Sequence, residues 1–159
     1  MKREVKLYNL IFPMWGIYFF SLMFPYFYIL LLPANFIVDT LMLFLLFLLL
    51  KVPEKKKLYR ESIWKIWGFG FLADILASGV LVGISWTGKL PFNEYLPISS
   101  VSAFLFTTAG VVLAGVLIYL FHRKFVWNHT EIAEGQKKRL ALGMAIVTAP
   151  YLMYLPPIG

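Results

Sequence analysis

Two aspartates inside long apolar stretches are the residues of this chain best suited to chemistry. Asp39 is the sole charged residue between Leu7 and Leu50, and Asp74 lies within the run IWGFGFLADILASGVLVGISW. A carboxylate at the centre of a bilayer costs about 2.5–3.5 kcal/mol on insertion scales, so such a residue usually faces protein or water and often marks an ion path. Asp39 and Asp74 are therefore the first candidates for a functional site.

The spacing of the two aspartates from the nearest lysines gives their depths. Asp39 lies 12 residues before Lys51, and Asp74 lies 9 residues after Lys65. At a helical rise of 1.5 Å per residue these separations are about 18 Å and about 13.5 Å. If the two helices are neighbours, the carboxyl groups meet near the midplane, where they would share a proton or bind a cation.

A structural role is the alternative for both aspartates. Asp39 would then cap the start of a helix that follows residues 33–35, and Asp74 would bond to Ser78 one turn further on. Ser78 is included with Asp39 and Asp74 as a candidate for the intramembrane polar site.

The composition indicates that a membrane surrounds the elements that carry these residues. The 159 residues are 60% hydrophobic and 14% charged, whereas soluble domains are about a quarter charged. A soluble fold of this size cannot bury so much apolar surface. We therefore predict an all-α, polytopic transmembrane helical bundle, with residues 1–159 forming a single integral membrane domain in the lipid bilayer. The net charge of +7 comes from basic blocks that flank apolar runs, so no nucleic-acid partner is expected.

The apolar runs predict four spans, at about residues 7–25, 30–50, 66–86 and 99–121. A single helix from Leu7 to Leu50 would be about 66 Å long, about twice the hydrocarbon thickness, so the chain must reverse within it. We expect this reversal between Pro25 and Pro33, with a turn at residues 33–35 or a partly re-entrant segment at 25–35 as alternatives. Residues 140–155 are expected to form a short fifth span, with an interfacial helix or a packed half-span as the alternatives.

The distribution of positive charge predicts the orientation. Fourteen of the fifteen basic residues lie in the N-terminal tail, in the loop 51–65 or in the loop 122–139, and Lys89 lies on the opposite side. Basic residues near span ends are retained in the cytoplasm. We therefore predict a multi-pass protein whose N-terminus and both of these loops are cytoplasmic.

Small residues within the predicted spans are candidates for close helix packing. Gly79 and Gly83 form a G-x-x-x-G pattern, and Gly110 and Ala114 belong to a stripe of small residues in the fourth span. Such patterns let helix backbones approach closely, either within one chain or across an oligomer.

The sequence offers no sign of catalytic machinery. It contains no cysteine, and it lacks the nucleophile-elbow, H-E-x-x-H and glycine-rich phosphate-loop patterns. No enzyme activity, cofactor or metal site is therefore expected.

The segments LPANFIVDTLMLF, IWKIWGFGFLAD and TAPYLMYLP resemble those of uncharacterised small polytopic membrane proteins of Gram-positive bacteria. The resemblance covers nearly the whole chain and implies a bacterial cell (plasma) membrane, but no particular activity.

Three functional hypotheses follow. The first is a small transporter or channel-like protein, or a subunit of one, with Asp39 and Asp74 on a proton, cation or solute path. The alternative is a non-transporting accessory or assembly subunit of a larger membrane complex, and a holin-like pore former is a more distant third. Because four or five helices make a thin bundle, we expect a homo-oligomer or a larger membrane-protein partner.

Overall fold

The computed structural model describes residues 26–87 and 100–155, which form helices and no strands. The α-helices are α1 (Tyr26–Leu49), α2 (Lys55–Trp86), α3 (Val101–Phe121) and α4 (Glu134–Val147). A π-helical turn (His122–Val126) continues directly from α3, and a 3-10 turn (Tyr151–Tyr154) follows α4. The all-α prediction is confirmed for these residues. The predicted span at 7–25 lies outside them.

Three of the described helices are long and apolar enough to cross a membrane: Leu31–Leu49 within α1, the whole of α2, and Val101–Val126. Their outward faces carry large aliphatic side chains, and on α2 these recur every fourth residue at Leu72, Leu76, Val80 and Ile84, each more than two-fifths exposed. Asp39, Asp74, Ser78 and Thr107 are buried instead. Soluble monomers rarely expose apolar surface on this scale, so this arrangement is that of an integral membrane protein.

Helix α1 runs without interruption through Pro33. A turn or re-entrant segment within residues 26–35 is therefore wrong, and a reversal before Tyr26 lies outside the described residues. Proline removes a backbone donor, but neighbouring helices in a membrane bundle compensate for such breaks. One turn beyond the Ile29 carbonyl that Pro33 leaves without its helical donor, the indole Nε1 of Trp67 donates to the Leu32 carbonyl oxygen at 3.1 Å and joins α2 to α1.

The connection between α1 and α2 is shorter than the predicted loop 51–65. Helix α2 begins at Lys55, after a tight turn in which Lys51 and Glu54 adopt left-handed φ angles of 48° and 47°. The charged residues that follow are good helix formers, and Leu58 and Ile63 are buried among them. At 32 residues, or about 48 Å, α2 extends beyond the hydrocarbon core at its basic end.

The predicted loop 122–139 is also partly helical, since it contains the π-helical turn and the start of α4. Helix α4 has 14 residues, about 21 Å, which is short of a full crossing. It packs against α1 and α3. It ends before Pro150, which has no N–H to offer the Ile146 carbonyl, and the Tyr151 hydroxyl donates to that oxygen instead. The number of crossings stays a prediction.

The two described basic blocks lie at the same end of the bundle. The side-chain amide of Gln136 donates to the Leu50 carbonyl oxygen at 3.2 Å, and His122 Nε2 lies 3.3 Å from the Ile66 carbonyl oxygen. A buried cluster that includes Phe47, Trp127 and Leu140 fills the space between the helices there. The positive charge of the described residues is thus concentrated at one end, as the positive-inside rule requires, while the side of the membrane stays a prediction.

Candidate functional site

Asp39 of α1 and Asp74 of α2 line the same small cavity. The two side chains belong to residues that are 6% and 4% exposed. The cavity has a volume of about 30 Å³, and a cavity needs at least about 10–15 Å³ to hold a water molecule. The lining residues are Asn35, Val38, Asp39, Gly70, Phe71, Asp74 and Thr148. The site is therefore large enough for one or two water-sized occupants.

Helical spacing explains how α1 and α2 build two walls of the cavity. Asn35 and Asp39 are four residues apart on α1, and Gly70 and Asp74 are four residues apart on α2, so each pair lies on one helix face. Gly70 is placed opposite Asp39, since a Cβ built on it would lie 3.8 Å from Asp39 Oδ2. The missing side chain leaves room for the carboxyl group between the helices.

Asp74 is oriented toward the cavity and not toward Ser78. Its Oδ1 atom has no hydrogen-bond partner among the described residues, and neither has the buried hydroxyl of Ser78. The predicted bond between Asp74 and Ser78 is therefore wrong. The cap predicted for Asp39 is wrong as well, because this residue lies in the middle of α1. Buried polar atoms without partners are uncommon, and an occupant of the site is one explanation for them.

The end of α4 forms the third wall. Thr148 follows the last residue of α4 and donates its hydroxyl to the Met144 carbonyl oxygen at 2.8 Å, which leaves the lone pairs of the hydroxyl oxygen free to accept or to ligate. A helix C-terminus also carries partial negative charge. Oxygen atoms and negative potential are therefore concentrated around this cavity.

The two lining residues with neutral polar side chains, Asn35 and Thr148, were not predicted as site residues. The position of Asn35 four residues before Asp39 is a signal from which it could have been found. For Thr148 the sequence gives no such signal, because its contact with the cavity depends on how α4 packs against α1 and α3.

The candidate packing residues fall into two groups. A Cβ at Gly110 would overlap the side chain of Leu81, and Ala114 is fully buried, so both lie at helix contacts within the chain. Gly79 is half-buried. Gly83 is exposed and a Cβ there would meet open space, so it makes no packing contact with the described residues.

The described residues hold no other cluster with metal-binding character. Within 26–87 and 100–155 there is no group of three or more His, Cys, Asp or Glu side chains placed to share a metal ion. Any cation at the aspartate pair would have to complete its coordination with neutral oxygens.

No family model, curated protein or solved structure matches this chain. The class of protein is therefore defined by its own structure: a helical integral membrane protein with two buried carboxyl groups at one cavity. What the site can do must be argued from its geometry.

Proposed function

We propose that this protein moves protons or small cations across the membrane, as a small transporter or channel-like protein or as a subunit of one. The observation that carries the proposal is the placement of Asp39 and Asp74, from two neighbouring helices, on one water-sized cavity. Buried intramembrane carboxylates that face a polar cavity are typical of proton and ion pathways.

The chemistry of the pair suits this role. Two carboxylates at close range do not both carry a charge easily, so a proton or a cation held between them neutralises the site. Ser78 and Ser85 continue the polar positions of α2 from Asp74 toward its far end, and both are buried. They extend the polar character of the bundle interior beyond the cavity.

The proposal also includes the membrane in which the protein lies and its orientation in that membrane. We place the protein in the cell membrane with its N-terminus in the cytoplasm. The support is the shared end of the two described basic blocks, which is the end that the positive-inside rule keeps in the cytoplasm. In a chain without cysteine, Lys56→Cys should be protected from an impermeant thiol reagent added to intact cells, and Trp86→Cys should be labelled. Labelling at position 56 with protection at position 86 would contradict this orientation.

Reconstituted vesicles test the transport function. Proton and ²²Na⁺ movement would be measured under an imposed membrane potential for the native protein, for Asp39→Asn and for Asp74→Asn. We expect flux above that of protein-free vesicles, and a loss of about tenfold or more in each variant. Glu61→Gln is the matched control, since it removes an exposed carboxylate from α2, the helix that carries Asp74, at a position outside the cavity. Native flux equal to that of empty vesicles, or unchanged flux in both Asn variants, would overturn the proposal.

A second candidate function is favoured by a different surface. An apolar groove of about 480 Å³ lies between α3 and α4, where Val112, Val116, Leu142 and Ile146 line it. Such a groove suits a helix of another membrane protein, as an accessory or assembly subunit would require. Val116→Cys should then crosslink in native membranes to one dominant partner, and recovery of the uncrosslinked chain alone would count against this role.

A further inference from the structure

The ligand atoms that the described residues offer to a metal ion in the cavity between Asp39 and Asp74 are side-chain oxygens. The polar groups that line it are the two carboxyl groups, the side-chain amide of Asn35 and the hydroxyl of Thr148, and the other lining residues are Val38, Gly70 and Phe71. Carboxylate, carbonyl and hydroxyl oxygens suit hard cations, whereas the softer transition metals favour imidazole or thiolate. The donor set therefore points to a hard cation.

The size of the cavity limits which hard cation fits. A volume of about 30 Å³ holds an ion with at most about one water molecule. Mg²⁺ keeps several of its waters and Ca²⁺ takes about 6–8 oxygen ligands. The four oxygen-bearing side chains that the described residues place around so small a space satisfy neither requirement. A monovalent ion that has lost most of its hydration shell suits the site better.

The charge balance agrees with a single positive charge. Two carboxyl groups that hold one proton between them carry one negative charge, and a monovalent cation neutralises it. Asp74 Oδ1 is buried and has no partner among the described residues, so it is an available ligand. The C-terminal end of α4 beside Thr148 adds partial negative charge, and helix ends within a membrane bundle are known ligands for Na⁺.

We propose that this cavity binds one monovalent cation of sodium size, with Asp39 and Asp74 as its charged ligands and Asn35 and Thr148 as neutral ligands. The proposal deepens the proposed function and rests on it for the role of the ion in transport. Binding itself is a separate property, because a cation can occupy the site without crossing the membrane.

Equilibrium binding of ²²Na⁺ to the full-length, detergent-solubilised protein tests the site directly. We expect saturable binding of one ion per chain at neutral pH, with weaker competition from K⁺ than from unlabelled Na⁺. Asp39→Asn and Asp74→Asn should abolish binding. Thr148→Val should weaken it about tenfold, as expected for the loss of one neutral ligand.

Thr87→Val is a matched control for the threonine variant. Thr87 follows the last residue of α2 as Thr148 follows that of α4, and its hydroxyl makes the same kind of local bond, to the Ile84 carbonyl oxygen at 2.7 Å. It does not line the cavity. Its replacement should leave Na⁺ binding unchanged, while circular dichroism and elution volume verify that every variant is folded.

The outcomes separate this inference from the proposed function. Absence of saturable Na⁺ binding by the folded native protein, or native binding in both aspartate variants, would overturn the cation site. Proton flux that depends on Asp39 and Asp74 would still support the proposed function in that case. Conversely, stoichiometric Na⁺ binding with no flux of either ion would support the site and remove the transport role.

Discussion

Asp39 and Asp74 come from different helices and meet at one cavity whose volume is about 30 Å³. Their neighbours on the two helices, Asn35 and Gly70, lie one turn away and complete those two walls. Among the described residues that line the cavity, these two aspartates alone carry a titratable side chain. A charge that enters the site would therefore be balanced first by this pair, which makes the cavity the natural place to test function.

The absence of a side chain at Gly70 gives a first prediction. A Cβ there would stand 3.8 Å from Asp39 Oδ2, an ordinary contact, so Gly70→Ala should keep both fold and activity. Gly70→Leu should fill the cavity and lower Na⁺ binding and flux by about tenfold or more. Gly68→Leu is the control, because Gly68 is exposed and a Cβ there meets open space. Equal flux in Gly70→Leu and Gly68→Leu would show that the cavity is not on the path.

The contact between α2 and α3 gives a second prediction, on stability. Because a Cβ at Gly110 would overlap the side chain of Leu81, Gly110→Ala should lower the free energy of unfolding by about 1–3 kcal/mol. Gly83→Ala, placed in open space on α2, should not lower it and should raise it by up to about 1 kcal/mol, because alanine favours helix over glycine. Unfolding in mixed micelles with increasing denaturing detergent would measure both. Similar values for the two variants would contradict the close contact between Gly110 and Leu81.

Ser78 gives a third prediction, since its buried hydroxyl lacks a partner among the described residues. Ser78→Ala removes an unsatisfied polar group and should raise the free energy of unfolding by about 1 kcal/mol. Ser62 is the matched control: it is buried on the same helix, and its hydroxyl donates to the Leu58 carbonyl oxygen at 2.5 Å. Ser62→Ala should therefore not stabilise the protein. A destabilised Ser78→Ala variant would mean that this hydroxyl is bonded.

The start of α4 gives a fourth prediction, on pH dependence. Hydrogen bonds from Lys137 and Arg123, at 2.9 Å and 2.7 Å, hold the pKa of Glu134 below its ordinary value. A lowered pKa means that this carboxylate stabilises the folded state at neutral pH and stops doing so as the pH falls through its folded value. Glu134→Gln should therefore melt slightly below the native protein at neutral pH, and the difference should vanish in acid.

Glu131→Gln is the control for that experiment, because Glu131 is exposed and makes no ion pair with a described residue. It should melt like the native protein across the same pH range. A Glu134→Gln difference that grows toward acid pH would contradict the assigned ion pairs.

The sequence predicts the three long apolar helices among the described residues well, because their apolar runs are bounded by charge or proline and are long enough to cross a bilayer. The same reasoning places Asp39 and Asp74 at similar depth, since helical rise converts sequence separation directly into distance. It does not predict the path of α1 through Pro33, because the neighbouring helices that tolerate a proline are a tertiary feature. The same limit applies to the start of α2 at Lys55, where a charged segment resembles a loop although its residues favour helix.

The candidate site was predictable only in part, because some of its residues reach the cavity through tertiary packing. The aspartates are conspicuous because charge is costly in an apolar run, whereas Asn35 and Thr148 are ordinary residues in their local sequence. Thr148 reaches the cavity because α4 stops before Pro150 and packs beside α1 and α3. Neither local propensity nor hydrophobic periodicity encodes that contact.

Flux through the double variant tests the central claim most directly. Cation and proton movement would be measured in vesicles for Asp39→Asn, Asp74→Asn and the combined Asp39→Asn/Asp74→Asn protein. If the two carboxyl groups act as one site, each single variant should lose nearly all flux and the second substitution should add almost nothing, as expected for residues that act as a unit. Native flux in either single variant, or losses that multiply independently in the double variant, would contradict a shared site.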